Sequence, residues 1–350
     1  MARFSRKMLG DAMRGVTGLA PLGKKVKRRP RILSTGIDSF DVLTGIGGFP
    51  EGRFVIKHGS AGSGKTTCSL QFLAAVQAAG GVGIYLDWEH KLSLEYAEAL
   101  GVNIEDLIYD AEIEIMSIER GFGSLEAALL ALRALDADAP IAVVWDSLQS
   151  VAAERAYGKE WGEGDFNGEA AAYSRAFKRF GPVLAKTRAV LIGISQVRSD
   201  MAKFARPGAE TIGVGKACLH AANMVYEWKK PKVLKGAGTE REGDIVEVVC
   251  IKNQSTGLVG DSVKMHVVTG CGVDPLHSLY EAAVHVGRAT LRGGGGWFEV
   301  TLPDGEVKRV HSMSGFQKWL AEDPVVFETW RQAVLADGSG LSSSSAPESS

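Results

Sequence analysis

Short apolar runs typical of buried strands alternate along the chain with longer segments of helical spacing. Strands are predicted at Phe54–His58, Val82–Leu86, Ile141–Trp145 and Val190–Ile194. Helices are predicted at Thr66–Ala79, at Ser124–Leu135 with Ser124 as N-cap, and from Tyr173 to Leu184 with a kink at Pro182. Strands that alternate with helices favour an α/β fold with a mostly parallel sheet covered on both faces.

The pattern changes in the last third of the chain. Asp244–Lys252 and Ser262–Val268 alternate like strands that extend the sheet in antiparallel fashion. Residues 272–335 indicate a small α+β unit, and residues 336–350 are rich in Ser and Gly and are predicted to be disordered. The α+β unit contains two strands, Trp297–Val300 and Glu306–Lys308, that flank a Pro-Asp-Gly turn, and then a helix at Ser314–Leu320.

The distribution of charge distinguishes the N-terminal segment from the rest of the chain. The 350 residues carry a net charge of −1, which gives no global attraction to nucleic acid or membrane. Residues 1–31, however, contain ten Lys or Arg residues against Asp11 alone, a net charge of +9. We therefore predict a basic N-terminal arm (1–31) before an α/β core (32–271). The arm is interpreted as a nucleic-acid-binding or oligomerisation segment, a targeting segment or a solvated tail.

Cysteine usage and hydropathy favour a cytoplasmic protein. The four cysteines are widely spaced and form no CxxC pair, so neither a zinc site nor a disulfide framework is indicated. We predict no membrane association, since no apolar run has the length of a bilayer span.

A phosphate-binding motif joins the first strand to the first helix. The segment Gly59-Ser60-Ala61-Gly62-Ser63-Gly64-Lys65-Thr66 fits G-x-x-x-x-G-K-[ST] at every fixed position. Glycines let backbone N–H groups turn toward phosphate oxygens, and the helix start adds partial positive charge. We expect Gly59–Thr67 to bind ATP, with Lys65 on the phosphates and the Thr66 hydroxyl on Mg²⁺. A chance match among 43 glycines is the alternative, but strand, loop and helix follow in the required order.

Three carboxylates follow predicted strands and are expected at the same sheet edge. Asp146 ends the run Ile141–Trp145 and is the predicted second magnesium ligand, although an Asp can also simply end a strand. Glu89 and Asp87 both follow the second strand. Either could activate a water for attack on the γ-phosphate, and the residues alone do not distinguish them.

The ordered motifs resemble those of bacterial RecA recombinases over residues 32–335. The resemblance is carried by Ile32–Gly36, Leu43–Arg53, the phosphate motif, Asp87–His90, Tyr96–Val102, Val143–Ser147, Ile194–Arg198, Gly296–Phe298 and Trp319-Leu320. It implies a DNA-dependent ATPase that uses ATP and Mg²⁺, forms filaments on single-stranded DNA, and promotes pairing and strand exchange with double-stranded DNA in recombination, repair and the SOS response.

The resemblance also implies residue roles. Glu89 matches the catalytic glutamate, Tyr96 the aromatic residue that stacks on adenine, and Gln196 the residue that senses the γ-phosphate. Loops 152–168 and 197–213 match the two DNA-binding loops. Tyr96 and Gln196 also have plain structural interpretations, as a tyrosine on a helix face and a glutamine at a strand end.

Charge supports the second loop more than the first. Between Val197 and Lys216 four basic residues face two acids, which suits phosphate contacts, whereas the first loop has two basic residues and four acids and could simply be solvated. The candidate DNA-binding residues are Arg198, Lys203, Phe204, Arg206 and Lys216.

Some positions depart from the family pattern and suggest a divergent, phage-encoded member. A Lys-Asn-Lys stretch that reaches the neighbouring subunit's ATP becomes Lys252-Asn253-Gln254, and a lysine–aromatic pair becomes Leu219-His220. These changes predict weaker coupling between subunits. They keep open a second hypothesis, an ATP-gated DNA-binding filament protein with little turnover. A third is a motor or recombination mediator with the same core fold, which the C-terminal unit argues against.

Overall fold

The computed structural model of the chain describes residues 30–110, 117–158, 168–199, 210–212, 215–235, 241–292 and 296–340. Two compact units are distinguished, residues 1–31 and 32–350. The first unit, apart from its last two residues, and the tail from residue 341 lie outside the described residues. In the described part of the chain, no helix has the length and apolar character needed to span a membrane.

The described elements alternate as the sequence predicts. The strands are β1 (Ile32–Leu33), β2 (Phe49–Pro50), β3 (Phe54–Gly59), β4 (Val82–Asp87), β5 (Ile108–Tyr109), β6 (Ile141–Asp146), β7 (Val190–Ser199), β8 (Glu210–Ile212), β9 (Met224–Trp228), β10 (Lys232–Lys235), β11 (Arg241–Asn253), β12 (Ser262–Val268), β13 (Gly272–Val273), β14 (Ala289–Arg292), β15 (Trp297–Thr301) and β16 (Val307–His311). The helices are α1 (Asp38–Leu43), α2 (Lys65–Ala78), α3 (Leu94–Ala99), α4 (Ile118–Leu135), α5 (Gly168–Thr187), α6 (Lys216–Ala221), α7 (Pro275–His285), α8 (Ser312–Glu322) and α9 (Pro324–Gly338), with a 3₁₀ helix at Glu154–Gly158.

A large mixed sheet organises the core. Its order is β13-β12-β11-β9-β3-β7-β6-β4-β5. The strands from β9 to β5 are parallel, and β11, β12 and β13 continue the sheet in antiparallel fashion. This confirms the predicted fold class. The register aligns Gly59 with Gln196 and Asp87 with Asp146, so the ends of four parallel strands meet at one edge.

Side chains alternate between two cores, one on each face of the sheet. On β3, Val55 packs with α2, whereas Phe54 and Ile56 pack with α4 and α5 on the opposite face. Strands buried on both faces need apolar side chains in both directions, which explains their continuous apolar runs. Burial of each large apolar side chain contributes about 1.5–3 kcal/mol.

Two helix predictions were wrong in detail. The helix predicted from Ser124 begins at Ile118, and its N-cap is Ser117, whose hydroxyl accepts a hydrogen bond from Arg120 N at 3.1 Å. Gly121 lies within this helix, and only glycine fits there without displacing the rings of Trp88 and Trp145, because a Cβ would lie 2.8 Å from both. Helix α5 spans Gly168–Thr187 and is longer at both ends than the predicted Tyr173–Leu184, with Pro182 inside it. The buried side chains of Phe177 and Leu184 on either side of Pro182 hold it against the sheet.

The two candidate caps of α4 give a direct comparison. We expect Ser117→Ala to lower the free energy of unfolding by about 1 kcal/mol, because the buried cap loses its hydrogen bond to Arg120 N. Ser124 is exposed in the middle of the helix, so Ser124→Ala should be neutral or slightly stabilising. Urea unfolding of both variants measures the difference. Equal midpoints would contradict the assignment of Ser117 as the cap.

The C-terminal part has its own small core. Strands β14, β15 and β16 form an antiparallel sheet, and α7, α8 and α9 pack around Phe298, Phe316 and Trp330. This agrees with the predicted α+β unit. Helix α9 extends to Gly338, so the boundary of the tail predicted at residue 336 was too early.

Candidate nucleotide-binding site

The carboxyl ends of the parallel strands open into a cleft of about 690 Å³. The loop between β3 and α2 forms one wall, and the segments after β4, β6 and β7 contribute the polar groups. The far wall comes from β11 and β12 with the turn after them, through Asp244, Val246 and Val267–Gly270. The phosphate motif and all three predicted carboxylates therefore line a single cleft.

The phosphate loop adopts the backbone that its glycines allow. Gly62 and Gly64 have φ of +70° and +84°, which other residues rarely adopt. Gly59 lies so close to β9 that a Cβ would be 2.2 Å from the Trp228 carbonyl oxygen. Within the described part of the chain, the buried Ser60 Oγ has no hydrogen-bond partner. A glycine-rich loop at a helix start with an unused hydroxyl fits a phosphate group.

Lys65 is held inside this loop. Its Nζ donates hydrogen bonds to Gly59 O at 3.0 Å, Ser60 O at 2.7 Å and Ser63 Oγ at 3.3 Å. Burial lowers the pKa of Lys65 to about 8, although the negative charges of Asp146 and Glu89 oppose the shift. A triphosphate in the cleft would raise this pKa again by stabilising the charged form, so the loop suits an anionic ligand.

Thr66 and Asp146 form the pair expected of a magnesium site. Thr66 Oγ1 donates to Asp146 Oδ2 at 2.8 Å, and Tyr85 Oη donates to the same oxygen at 2.8 Å. Burial raises the pKa of Asp146, and the two hydrogen bonds partly offset this. Mg²⁺ prefers one or two protein oxygens together with phosphate oxygens and water. The hydroxyl and carboxylate side by side fit that requirement.

Glu89 and Asp87 occupy different surroundings. The Asp87 carboxylate Oδ2 accepts from Leu92 N at 2.9 Å and Tyr109 Oη at 3.1 Å, and thereby fixes the turn after β4. Glu89 faces the cleft, where its Oε1 accepts from Ser147 Oγ at 2.8 Å. Burial acts to raise the pKa of Glu89, but hydrogen bonds from Lys91 and Ser147 lower it overall. Glu89 is therefore an ionised carboxylate positioned by side chains.

Gln196 connects Glu89 to β7. Its Nε2 donates to Glu89 Oε1 at 3.2 Å. Gln149 holds the Gln196 backbone on both sides, since it donates to Gln196 O at 2.7 Å and accepts from Gln196 N at 3.2 Å. Three residues beyond Gln196, β7 reaches Ser199 and pairs with β8 at the base of the predicted second loop. The strand thus joins the carboxylate directly to that loop.

Tyr96 lines the cleft from α3. Its hydroxyl lies 2.9 Å from Thr67 Oγ1, so the tyrosine is tied to the first turn of α2. The N-cap of this helix is Ser93, whose hydroxyl accepts a hydrogen bond from Tyr96 N. This local cap fixes the position of the ring at the cleft wall.

Lys252 lies away from this cleft, near the end of β11. Its Nζ donates to the carbonyl oxygens of Leu219 at 2.9 Å and Ala222 at 2.6 Å, near the end of α6. Burial lowers the pKa of Lys252. The described residues that line the cleft do not include it. A contact of Lys252 with nucleotide would therefore involve another subunit's cleft.

The predicted DNA-binding residues are described only in part. Lys203, Phe204 and Arg206 lie outside the described residues, as do residues 159–167 of the first loop. Arg198 belongs to β7, where its backbone pairs with Thr211. Lys216 is exposed and is the first residue of α6. The ends of the second loop, predicted as a loop from Val197, form an antiparallel strand pair.

Sequence patterns missed a group of polar side chains around Glu89 and Asp146. Tyr85 is hidden in a strand pattern, and Lys91 belongs to an irregular turn. Ser147, Gln149 and Ser150 follow a cis peptide bond between Asp146 and Ser147. Their position directly after a magnesium-ligand candidate was the available signal, but their partners come from distant strands.

The site has the features of a P-loop nucleotide-binding protein. These are a phosphate loop between strand and helix, a buried lysine, and a Thr–Asp pair at the ends of parallel strands. The family model of the RecA N-terminal domain matches residues 9–274. Protein RecA of Thermus thermophilus is 30% identical over 97% of this chain and 98% of the relative. The chain belongs to the RecA recombinase family, which confirms the resemblance seen in its motifs.

More distant relatives are also similar over most of the chain. Protein RecA of Streptococcus pneumoniae strain Hungary19A-6 is 26% identical, with 96% of this chain and 86% of the relative covered. A crystal structure of the RadB recombinase is 24% identical, with a TM-score of 0.49, over 69% of this chain and 98% of that structure. The RadB similarity is too distant to add to the assignment.

Proposed function

We propose that this RecA-family chain is an ATP-dependent DNA recombinase. It binds ATP and Mg²⁺, assembles as a helical filament on single-stranded DNA, and promotes homologous pairing and strand exchange with double-stranded DNA. Residues 32–271 act as the ATPase core and residues 272–335 as a small α+β C-terminal domain. The arm at 1–31 serves oligomerisation or DNA binding.

The cleft supports the ATPase part of this proposal. Lys65 and the backbone of Gly59–Thr67 bind the phosphates, while Thr66 and Asp146 hold Mg²⁺ and Tyr96 contacts the base. The metal supplies neutralisation of developing charge on the phosphates. Glu89 accepts the proton of the attacking water. Asp87 lines the same cleft, but its Oδ2 is engaged by Leu92 N and Tyr109 Oη and fixes the turn after β4.

The observation that carries the recombinase proposal is the link between Gln196 and Glu89. The amide of Gln196 donates to the proposed base at 3.2 Å, and the same strand leads into the second loop. A change of phosphate state that moves Gln196 would therefore move the base of the loop. ATP shifts the protein to the DNA-binding state only if it binds that state more tightly.

DNA contacts are assigned to the second loop and its flank. Arg198, Lys203, Arg206 and Lys216 provide phosphate contacts, and Phe204 can stack on bases. Lys252 reaches the ATP of the neighbouring subunit. This role comes from the family resemblance, and Lys252 is not among the described residues that line the cleft of its own chain.

Hydrolysis with and without single-stranded DNA tests the proposal. We expect ATP turnover to rise when single-stranded DNA is added, and electron micrographs to show helical filaments on that DNA in the presence of ATP. Rings in place of filaments would favour the motor hypothesis. Filaments without stimulated turnover would favour the second hypothesis.

One observation favours the second hypothesis, an ATP-gated filament protein with little turnover. Lys252 Nζ is already engaged by carbonyl oxygens at the end of α6, and the neighbouring Gln254 accepts a hydrogen bond from Asn223 Nδ2 at 3.0 Å. Fewer cations are then available for a neighbour's nucleotide. The turnover measurement distinguishes the two functions.

A further inference from the structure

Lys91 is a charged residue of the cleft to which no role has been assigned. It lies in the turn after β4, two residues beyond Glu89, and its Nζ donates to Glu89 Oε2 at 2.9 Å. The side chain is 74% exposed. It lines the same cleft as Lys65, Glu89 and Gln196. Lys91 therefore places a second cation beside the proposed base.

The two oxygens of Glu89 have different partners. Oε1 accepts hydrogen bonds from Ser147 Oγ at 2.8 Å, Ser150 Oγ at 3.2 Å and Gln196 Nε2 at 3.2 Å. Oε2 accepts from Lys91. Three donors leave Oε1 little capacity to take a proton from water. Oε2 is the oxygen suited to that task, and Lys91 is bound to it.

Releasing Lys91 from Glu89 costs little. Lys91 is 74% exposed and stays hydrated when it leaves the pair. Glu89 is only 16% exposed, but it keeps the hydrogen bonds from Ser147, Ser150 and Gln196. The lysine stem is flexible and carries a compact charge. A triphosphate carries several negative charges, so it competes well with one carboxylate for the same ammonium.

The cleft offers few other cations for a terminal phosphate. Among the described residues that line it, Lys65 and Lys91 carry the positive charge. Lys65 is bound by the phosphate loop itself through Gly59 O and Ser60 O. The ammonium of Lys252 is hydrogen-bonded to the backbone near the end of α6. Among the described residues that line the cleft, Lys91 is thus the cation that the phosphate loop does not hold and that is free to move to the γ-phosphate.

We propose that Lys91 is a catalytic residue that exchanges between Glu89 and the γ-phosphate. Without nucleoside triphosphate it holds Glu89 Oε2; with triphosphate bound it contacts the γ-phosphate oxygens and leaves Oε2 to the attacking water. Water then forms the new bond to phosphorus, its proton passes to Oε2, and the bond to ADP breaks. This inference rests on the proposed ATPase function.

The exchange predicts that Lys91 distinguishes triphosphate from diphosphate. Lys91→Met keeps the length of the side chain and removes its charge. We expect its affinity for ATPγS to fall about tenfold, the effect of one charge-assisted hydrogen bond, while its affinity for ADP stays unchanged. Lys91→Arg should retain most of the preference. Calorimetric titration with ATPγS and ADP, both with Mg²⁺, measures this without hydrolysis.

Lys318 provides a matched control. It is 75% exposed and pairs with Glu322 in α8, outside the cleft. Lys318→Met should leave both affinities unchanged. Equal loss of ATPγS and ADP affinity in Lys91→Met, or no loss in either, would overturn the inference. A wild-type protein that binds neither nucleotide would instead refute the proposed function itself.

Discussion

Glu89→Gln is expected to lower ATP hydrolysis by about 10²–10⁴-fold, the usual contribution of a general base. The amide has the size of the carboxylate and can still accept hydrogen bonds from Ser147 and Ser150, which now bind Glu89 Oε1. It cannot accept the proton of the attacking water at neutral pH. ATP binding should remain close to wild type because Lys65, Thr66 and Asp146 are unchanged.

Turnover in the presence of single-stranded DNA, together with ATP affinity, measures this effect. Glu105→Gln removes an exposed carboxylate outside the cleft and serves as the control. Asp87→Asn tests the competing assignment. Its carboxylate binds Leu92 N and Tyr109 Oη, so this variant should lose stability rather than the chemical step alone. Near-normal turnover in Glu89→Gln would exclude Glu89 as the base.

The parts of the site that sequence could predict are local. Gly59–Thr66 is a contiguous motif, and its loop needs only its own glycines and the start of α2. Asp146 could be placed because it ends an apolar run, and parallel strands bring their carboxyl ends to one edge. The register that pairs Asp87 with Asp146 is a direct consequence.

The choice between Asp87 and Glu89 could not be made from residues alone. Both carboxylates follow the same strand, and the difference lies in their partners. Tyr109 approaches Asp87 from β5, while Ser147 and Gln196 approach Glu89 from the ends of β6 and β7. These contacts depend on the order of the strands in the sheet. The sequence of the irregular segments that carry these polar residues does not indicate that order. The family resemblance supplied the assignment that periodicity could not.

The predicted start of helix α4 was wrong for a similar reason. The helix was predicted from Ser124, but α4 begins at Ile118 and includes Gly121 and Gly123, although glycine weakens isolated helices. Tertiary packing overrides this preference, since the aromatic rings of Trp88 and Trp145 require the space that Gly121 leaves. Local propensity is a weak guide wherever a helix lies against bulky side chains of the sheet.

A buried lysine beneath the phosphate loop should limit the stability of the fold. Lys57 on β3 is fully buried. Within the part of the chain that the structure describes, its Nζ has no hydrogen-bond partner. The rings of Phe40, Trp228 and Phe49 surround it at 5.3, 5.5 and 5.8 Å. Cation–π contacts offset only part of the loss of hydration.

This burial makes stability depend on pH. Burial lowers the pKa of Lys57 to about 8, below the ordinary lysine value of about 10.4. Below about pH 8 the lysine is charged in both states, and folding carries the full desolvation cost. Between about pH 8 and about pH 10.4 the unfolded chain binds more protons than the folded chain, so stability rises with pH.

We therefore expect Lys57→Met to raise the free energy of unfolding at pH 7 by about 1–3 kcal/mol, since methionine fills the aromatic cage without a charge. The variant should also lose the increase in stability between about pH 8 and about pH 10.4. Urea unfolding across this pH range measures both effects, with Lys318→Met as an exposed-lysine control. A destabilised Lys57→Met with an unchanged pH profile would show that the ammonium is well accommodated. In that case the three aromatic rings around Lys57 would stabilise the fold through its charge rather than through its volume.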